Sequence, residues 1–197
     1  MSSSLVMPLR PDGAAAAMSH CATFMRHGES EYNVLGLCND DPGIPVALTQ
    51  FGRSQVDQAA TEFEPGTIDL LYVSQLPRAL ETAAIINRHQ HAEIVIDPRL
   101  NDRRTGFEGR RVADYLAARD ADPANFRAED GESFTMLKAR VIDFLDDLRP
   151  MCAHRVLVVS HHEVLQVVRG HTLGWSDHEI RQWWIDPAGH FTVEMTT

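Results

Sequence analysis

The sequence predicts an α/β fold, a three-layer α/β/α sandwich with helices on both faces of a mostly parallel sheet. Short apolar runs alternate with stretches of helical periodicity, the pattern of strands joined by crossover helices. One run, Val156-Leu157-Val158-Val159, is apolar at every position and rich in β-branched residues, as in strands buried on both faces. Arginines and histidines gather directly after such runs, where open α/β sheets bind their ligands.

At 197 residues the chain fits one domain, taken as residues 20–197, behind a flexible leader at 1–19. In the leader, Leu5-Val6-Met7 is too short for a signal-peptide core, Pro8 and Pro11 interrupt it, and Arg10 follows rather than precedes it. The first strand is then read at 21–25. Thr49 is a helix N-cap, and Val56, Ala59, Ala60 and Phe63 recur at helical spacing until Pro65-Gly66 stops the run. Leu70-Leu71-Tyr72-Val73 is the second strand. Pro77 suits a first helical turn, with Leu80, Ala83, Ala84 and Asn87 on one face, and residues 93–96 form the third strand. Turn-rich loops at 39–45 and 97–111 are expected over the site.

Phe134, Leu137, Val141, Phe144 and Leu148 make the apolar stripe of a long helix ending at Pro150. After the fourth strand, at 156–159, a helix over 163–173 carries Val164, Val167 and Val168 and ends at Gly174. The tail, residues 180–185 and 191–195 around Asp186-Pro187-Ala188-Gly189, reads as a hairpin closing one edge of the sheet.

Composition removes several function classes. A formal charge of −10 argues against non-specific attraction to nucleic acid or anionic membranes, so any affinity for phosphate has to be local. No apolar run approaches the roughly 20 residues of a membrane span. Cys21, Cys38 and Cys152 are odd in number with no close pair, which fits a reducing cytoplasm better than a disulfide framework or zinc knuckle. Asp40 and Asp41 match no calcium-loop spacing and are read as a solvated turn. His89-Gln90-His91 is read as a solvated helix end, and Trp175, Trp183 and Trp184, whose rings are able to stack a ligand, are read as core and hairpin packing.

The strand ends carry the chemistry. Arg26 and His27 follow the first strand; Ser74 and Arg78 follow the second; Asn101, Asp102, Arg103 and Arg104 follow the third; Ser160, His161 and His162 follow the fourth. Guanidinium forks bind phosphate oxygens bidentately and stay charged. A neutral histidine can attack phosphorus and carry the group covalently. A carboxylic acid can protonate the leaving oxygen and later take a proton from water.

These residues resemble a known family. RHGESEYN at 26–33 is similar to the signature of the histidine phosphatase superfamily, which includes phosphoglycerate mutase. LTQFGRSQ at 48–55, VSQLPRALETA at 73–83, LNDRRTGFEG at 100–109, DGES at 130–133 and VVSHHEV at 158–164 continue the likeness in order. The resemblance implies a phosphoglycerate mutase-like fold with His27 as phosphorylated nucleophile. It implies that Arg26, Arg78 and His161 complete the phosphate pocket, that Asn33 lies close by, and that Asp102 stands at the acid/base position. The family usually has glutamate there. An aspartate is one methylene shorter, and its ordinary pKa of about 3.9 has to be raised for proton donation near neutrality, which leaves room for an acidic optimum. Glu108 and Glu29 remain alternative donors. His162 stands where the family often has a small residue, and it either lines the pocket or serves structure.

The leading reading is a phosphatase acting on small-molecule phosphomonoesters, since only about 30 residues separate Asp102 from Ser133, short for the lid of a mutase. Mutase-type transfer is the alternative, with Arg103 and Arg104 holding a substrate carboxylate rather than forming a solvated basic loop. A phosphate-binding regulatory module with little turnover is the third. No metal or organic cofactor is required, and the sequence assigns no oligomeric state.

Overall fold

A computed structural model describes residues 20–195; the expected leader at 1–19 lies outside the described residues. In chain order the elements are β1 (His20–Arg26), α1 (Glu31–Leu35), α2 (Gln50–Ala60), β2 (Leu70–Val73), α3 (Pro77–Asn87), β3 (Glu93–Ile96), α4 (Val112–Arg119), α5 (Phe134–Leu148), β4 (Val156–Ser160), α6 (His162–Leu173), α7 (Asp177–Gln182) and β5 (His190–Met195). The strands form a five-stranded sheet in the order β3-β2-β4-β1-β5. β5 runs antiparallel to β1, and the other pairs are parallel. No helix among the described residues is long and apolar enough to cross a membrane.

Two apolar layers sandwich the sheet. Because successive strand side chains face opposite sides, Val156 and Val158 of β4 join Phe24, Phe134, Leu137, Val141 and Val164 beneath α5 and α6. Leu157 and Val159 join Met25, Leu71, Val73, Val56, Ala83 and Ile86 beneath α2 and α3. Every residue of β4 is buried, which accounts for its continuous apolar run.

Local signals set the helix ends. The Thr49 side chain accepts from Gly52 N and starts α2; Ser133 does the same for α5 with Met136 N. Pro77 opens α3, and Gly174, at φ 69°, closes α6 in the left-handed conformation.

The expected tail hairpin is corrected. Residues 177–182 are helical, started by a capping box in which Ser176 and Glu179 satisfy each other's backbone amides. Ile180 drives this packing: it is buried against Gly170, where an added Cβ would stand 2.1 Å from Ile180 Cγ1. Only β5 of the expected hairpin is a strand, and its partner is β1. Two helices fall where no helix was expected, α1 within the signature and α4 after the 97–111 loop.

Candidate active site

The site forms because adjacent parallel strands end level. Arg26 pairs with Ser160 at the ends of β1 and β4, so the residues that follow, His27 and His161, emerge side by side with ring centroids 5.0 Å apart. Val73 pairs with Val159, which brings Ser74 next to them; His161 Nε2 lies 2.7 Å from Ser74 Oγ. The 183–189 segment braces the other side. Arg26 N donates to Gly189 O at 2.9 Å, Ala188 N to His27 O at 3.2 Å, and Arg26 Nη1 to Ile185 O at 2.7 Å.

The His27 ring is fixed in one tautomer. Its Nδ1 lies 2.7 Å from Gly28 O, an acceptor, so Nδ1 carries the proton and Nε2 carries the lone pair. Nε2 accepts from Arg78 Nε at 3.0 Å. Burial, then the positive charges of Arg78 and Arg26, hold the imidazole pKa well below its ordinary 6.5, so the ring is neutral at physiological pH.

Arg78, in the first turn of α3, is the hub. Besides His27, it donates from Nη1 to Asn39 Oδ1, from Nη2 to Asn39 O at 3.0 Å and from Nη2 to Asp102 Oδ2 at 3.0 Å. Asp102 Oδ1 accepts from Arg103 N at 3.0 Å, and Oδ2 lies 3.7 Å from His161 Nδ1. His161 is also held neutral, by burial and then by Arg78 and His27. Close to His27, Arg26 Nε, His161 Nδ1 and His162 Nδ1 are buried without a hydrogen-bond partner. Unpaired buried polar atoms are rare, and they call for an explanation. Arg26 Nε is a donor left for a ligand oxygen, and His161 Nδ1 is one only in the tautomer that carries its proton there.

The remaining predicted residues are placed less uniformly. Asn33 lines the cavity at this point, with its Oδ1 accepting from Ser30 N and Oγ, both at 3.0 Å. Arg103 is 1% exposed and engaged with Glu163, through Nη2 at 2.9 Å and Nε at 2.7 Å, so its charge is already met. Arg104 lines an adjoining pocket with Glu108, Glu129 and Glu132, which shares Asp40 and Asp102 with the cavity beside Arg78. His162 lines the main cavity, its ring 4.4 Å from that of Trp184; burial and Arg26 lower its pKa to about 4. Neither alternative carboxylate stands free: Glu108 accepts from Asn39 Nδ2, Asp40 N and Asp41 N, and Glu29 Oε1 accepts from Thr49 Oγ1 at 2.7 Å.

Four residues of the site escape sequence reasoning: Asn39, Ser74 as the partner of His161, Glu163 and Trp184. Asn39 sits in a turn-rich loop whose composition carries no signal for an arginine clamp. Trp184, expected in packing, is 62% exposed. The main cavity, about 370 Å3, opens from Arg78 and Asp102 past α4 to Trp184.

The strand-end histidines and buried arginines lie together at one end of a mostly parallel sheet covered on both faces. The chain belongs to the histidine phosphatase superfamily (branch 1), whose model matches residues 22–197. It is 30% identical to the Adenosylcobalamin/alpha-ribazole phosphatase of Escherichia coli (strain K12), over 76% of this chain and 77% of that one. It is 38% identical over 79 residues to the 2,3-bisphosphoglycerate-dependent phosphoglycerate mutase of Thermoplasma acidophilum, 40% of this chain and 39% of that one. The crystal structure of the alpha-ribazole phosphatase from Shigella flexneri matches with a TM-score of 0.80 at 25% identity, covering 88% of this chain and 90% of that one.

Proposed function

We propose that the protein hydrolyses small-molecule phosphomonoesters through a phosphohistidine at His27. One observation carries the reading: the His27 ring is fixed by Gly28 O on Nδ1, with its Nε2 lone pair beside a buried arginine. The phosphoryl group is held by Arg26, Arg78 and His161, whose donors favour charge developing on the equatorial oxygens. Nε2 attacks phosphorus as the bond to the ester oxygen breaks, and that oxygen takes the proton of Asp102. The carboxylate then takes a proton from water, whose oxygen attacks phosphorus; inorganic phosphate leaves and His27 is restored.

Hydrolysis is favoured over mutase-type transfer because Arg103 is neutralised by Glu163 and so is not free to hold a substrate carboxylate. Cys21 and Cys38 are free, and on that basis we place the activity in the cytoplasm. Purified protein is expected to hydrolyse p-nitrophenyl phosphate, and His27→Ala to lower the rate by ~10^3-fold or more. An H27A protein as active as wild type contradicts the mechanism, and wild-type protein with no turnover favours a binding module.

A further inference from the structure

Arg78 and Asp102 stand at one end of the main cavity. The rest of its lining includes Tyr32, Leu37, Val112, Leu116 and Trp184, bulky apolar side chains from four different segments. Trp184 is 62% exposed, Leu116 37% and Val112 36%, so this wall meets solvent. Trp184 is nevertheless fixed. Its Nε1 donates to Asp186 Oδ1 at 2.9 Å, its ring lies 4.4 Å from that of His162, and the Arg26 guanidinium stands 5.1 Å from its centroid.

That last contact sets the geometry. Arg26 is a phosphate ligand in the mechanism above, so an indole touching Arg26 lies within a few bonds of a bound phosphoryl group. The arginines that share this cavity are turned towards other groups: Arg103 and Arg119 both donate to Glu163, at 2.9 and 3.2 Å, and Arg181 lies over the Phe134 ring, although Arg103 Nη1, Arg119 Nε and Arg181 Nη1 are left without a hydrogen-bond partner. Burial of His162 and its contact with Arg26 keep that imidazole neutral, so it too presents an apolar ring face beside Trp184.

We propose that Trp184, with Val112 and Leu116 of α4, forms a leaving-group platform that selects phosphomonoesters bearing an aromatic ring close to the ester oxygen. The inference rests on the phosphatase reading and adds the substrate class. Benzyl and ethyl phosphate test it, because both release simple primary alkoxides of similar basicity and differ by the ring. Wild-type kcat/KM should favour the benzyl ester by about tenfold or more, the scale of one buried ring contact. Trp184→Ala should bring the benzyl-to-ethyl ratio towards one, Trp184→Phe should keep most of it, and Leu116→Ala should lower it by a smaller factor. A wild-type ratio near one, or a ratio that Trp184→Ala leaves intact, overturns the platform while the phosphatase reading stands. If neither ester is hydrolysed, the phosphatase reading falls and the platform with it.

Discussion

At the scale of single residues, the two hydrogen bonds on His27 decide its chemistry. Nδ1–H is anchored to Gly28 O, and Nε2 faces Arg78. The shortened carboxyl of Asp102 reaches this centre: its Oδ2 is 3.0 Å from Arg78 Nη2 and 3.7 Å from His161 Nδ1. If Asp102 protonates the leaving oxygen, its loss should matter most for poor leaving groups. Asp102→Asn is therefore expected to lower kcat/KM for ethyl phosphate by roughly 10^2-fold or more, and for p-nitrophenyl phosphate much less. Equal losses on both esters contradict the assignment.

His162 gives a second prediction at this scale. Its folded pKa, about 4, lies below the ordinary 6.5, so the unfolded chain binds the extra proton first as pH falls. Its contribution is complete above about pH 6.5 and is lost as pH falls towards 4. Relative to His162→Gln, wild type should lose stability by roughly 1.4 kcal/mol per pH unit across that window. Denaturant midpoints of the two proteins across pH 4–7 measure this. A constant difference would show that His162 is not held neutral.

Arg26, His27, Arg78 and His161 were legible in the sequence because each follows an apolar run that had to be a strand, and strand ends converge. Asn39 and Ser74 were not, because their roles are contacts over 39 and 87 positions that no local pattern encodes.

At the scale of elements, the signature loop depends on the N-terminus of α2. A Cβ on Gly52 would stand 2.0 Å from Glu29 O, and one on Gly28 would stand 2.6 Å from Gly52 O, so the two backbones meet where only glycines fit. Thr49 strengthens the same junction, with Thr49 N donating to Glu29 O at 2.9 Å. Gly52→Ala has to push α2 away from the loop that holds His27. It should cost about 1–3 kcal/mol of stability and lower kcat/KM together. A denaturant midpoint and rate equal to wild type contradict this packing.

The helices over 50–60, 77–87 and 134–148 could be read from periodicity because each has one apolar face and a local start signal. The tail could not. Ile180, Trp183 and Ile185 resemble a strand when composition alone is weighed, whereas the Ser176–Glu179 capping box and the recess at Gly170 make residues 177–182 helical. α4 was missed for a related reason: Tyr115 is its only buried residue, so it shows a weak apolar stripe. Both elements border the cavity, α4 through Val112, Tyr115 and Leu116, and the segment after α7 through Trp183 and Trp184.

At the scale of the whole molecule, the sheet order places β4 and β1 side by side between two apolar layers. Central strands packed on both faces are the stiffest part of such a fold, and His27 and His161 extend directly from them. A chain of net charge −10 repels anions at long range, so in the proposed mechanism recognition of phosphate rests on the buried arginines and histidines at that one end. Fold, charge and site all meet at His27, where the covalent step is proposed. Rapid quenching with a 32P-labelled ester tests that step most directly. Wild type should yield an acid-labile, alkali-stable phosphoenzyme whose label maps to His27 and which forms as fast as turnover. Turnover with no such label, or label on another residue, would contradict the mechanism.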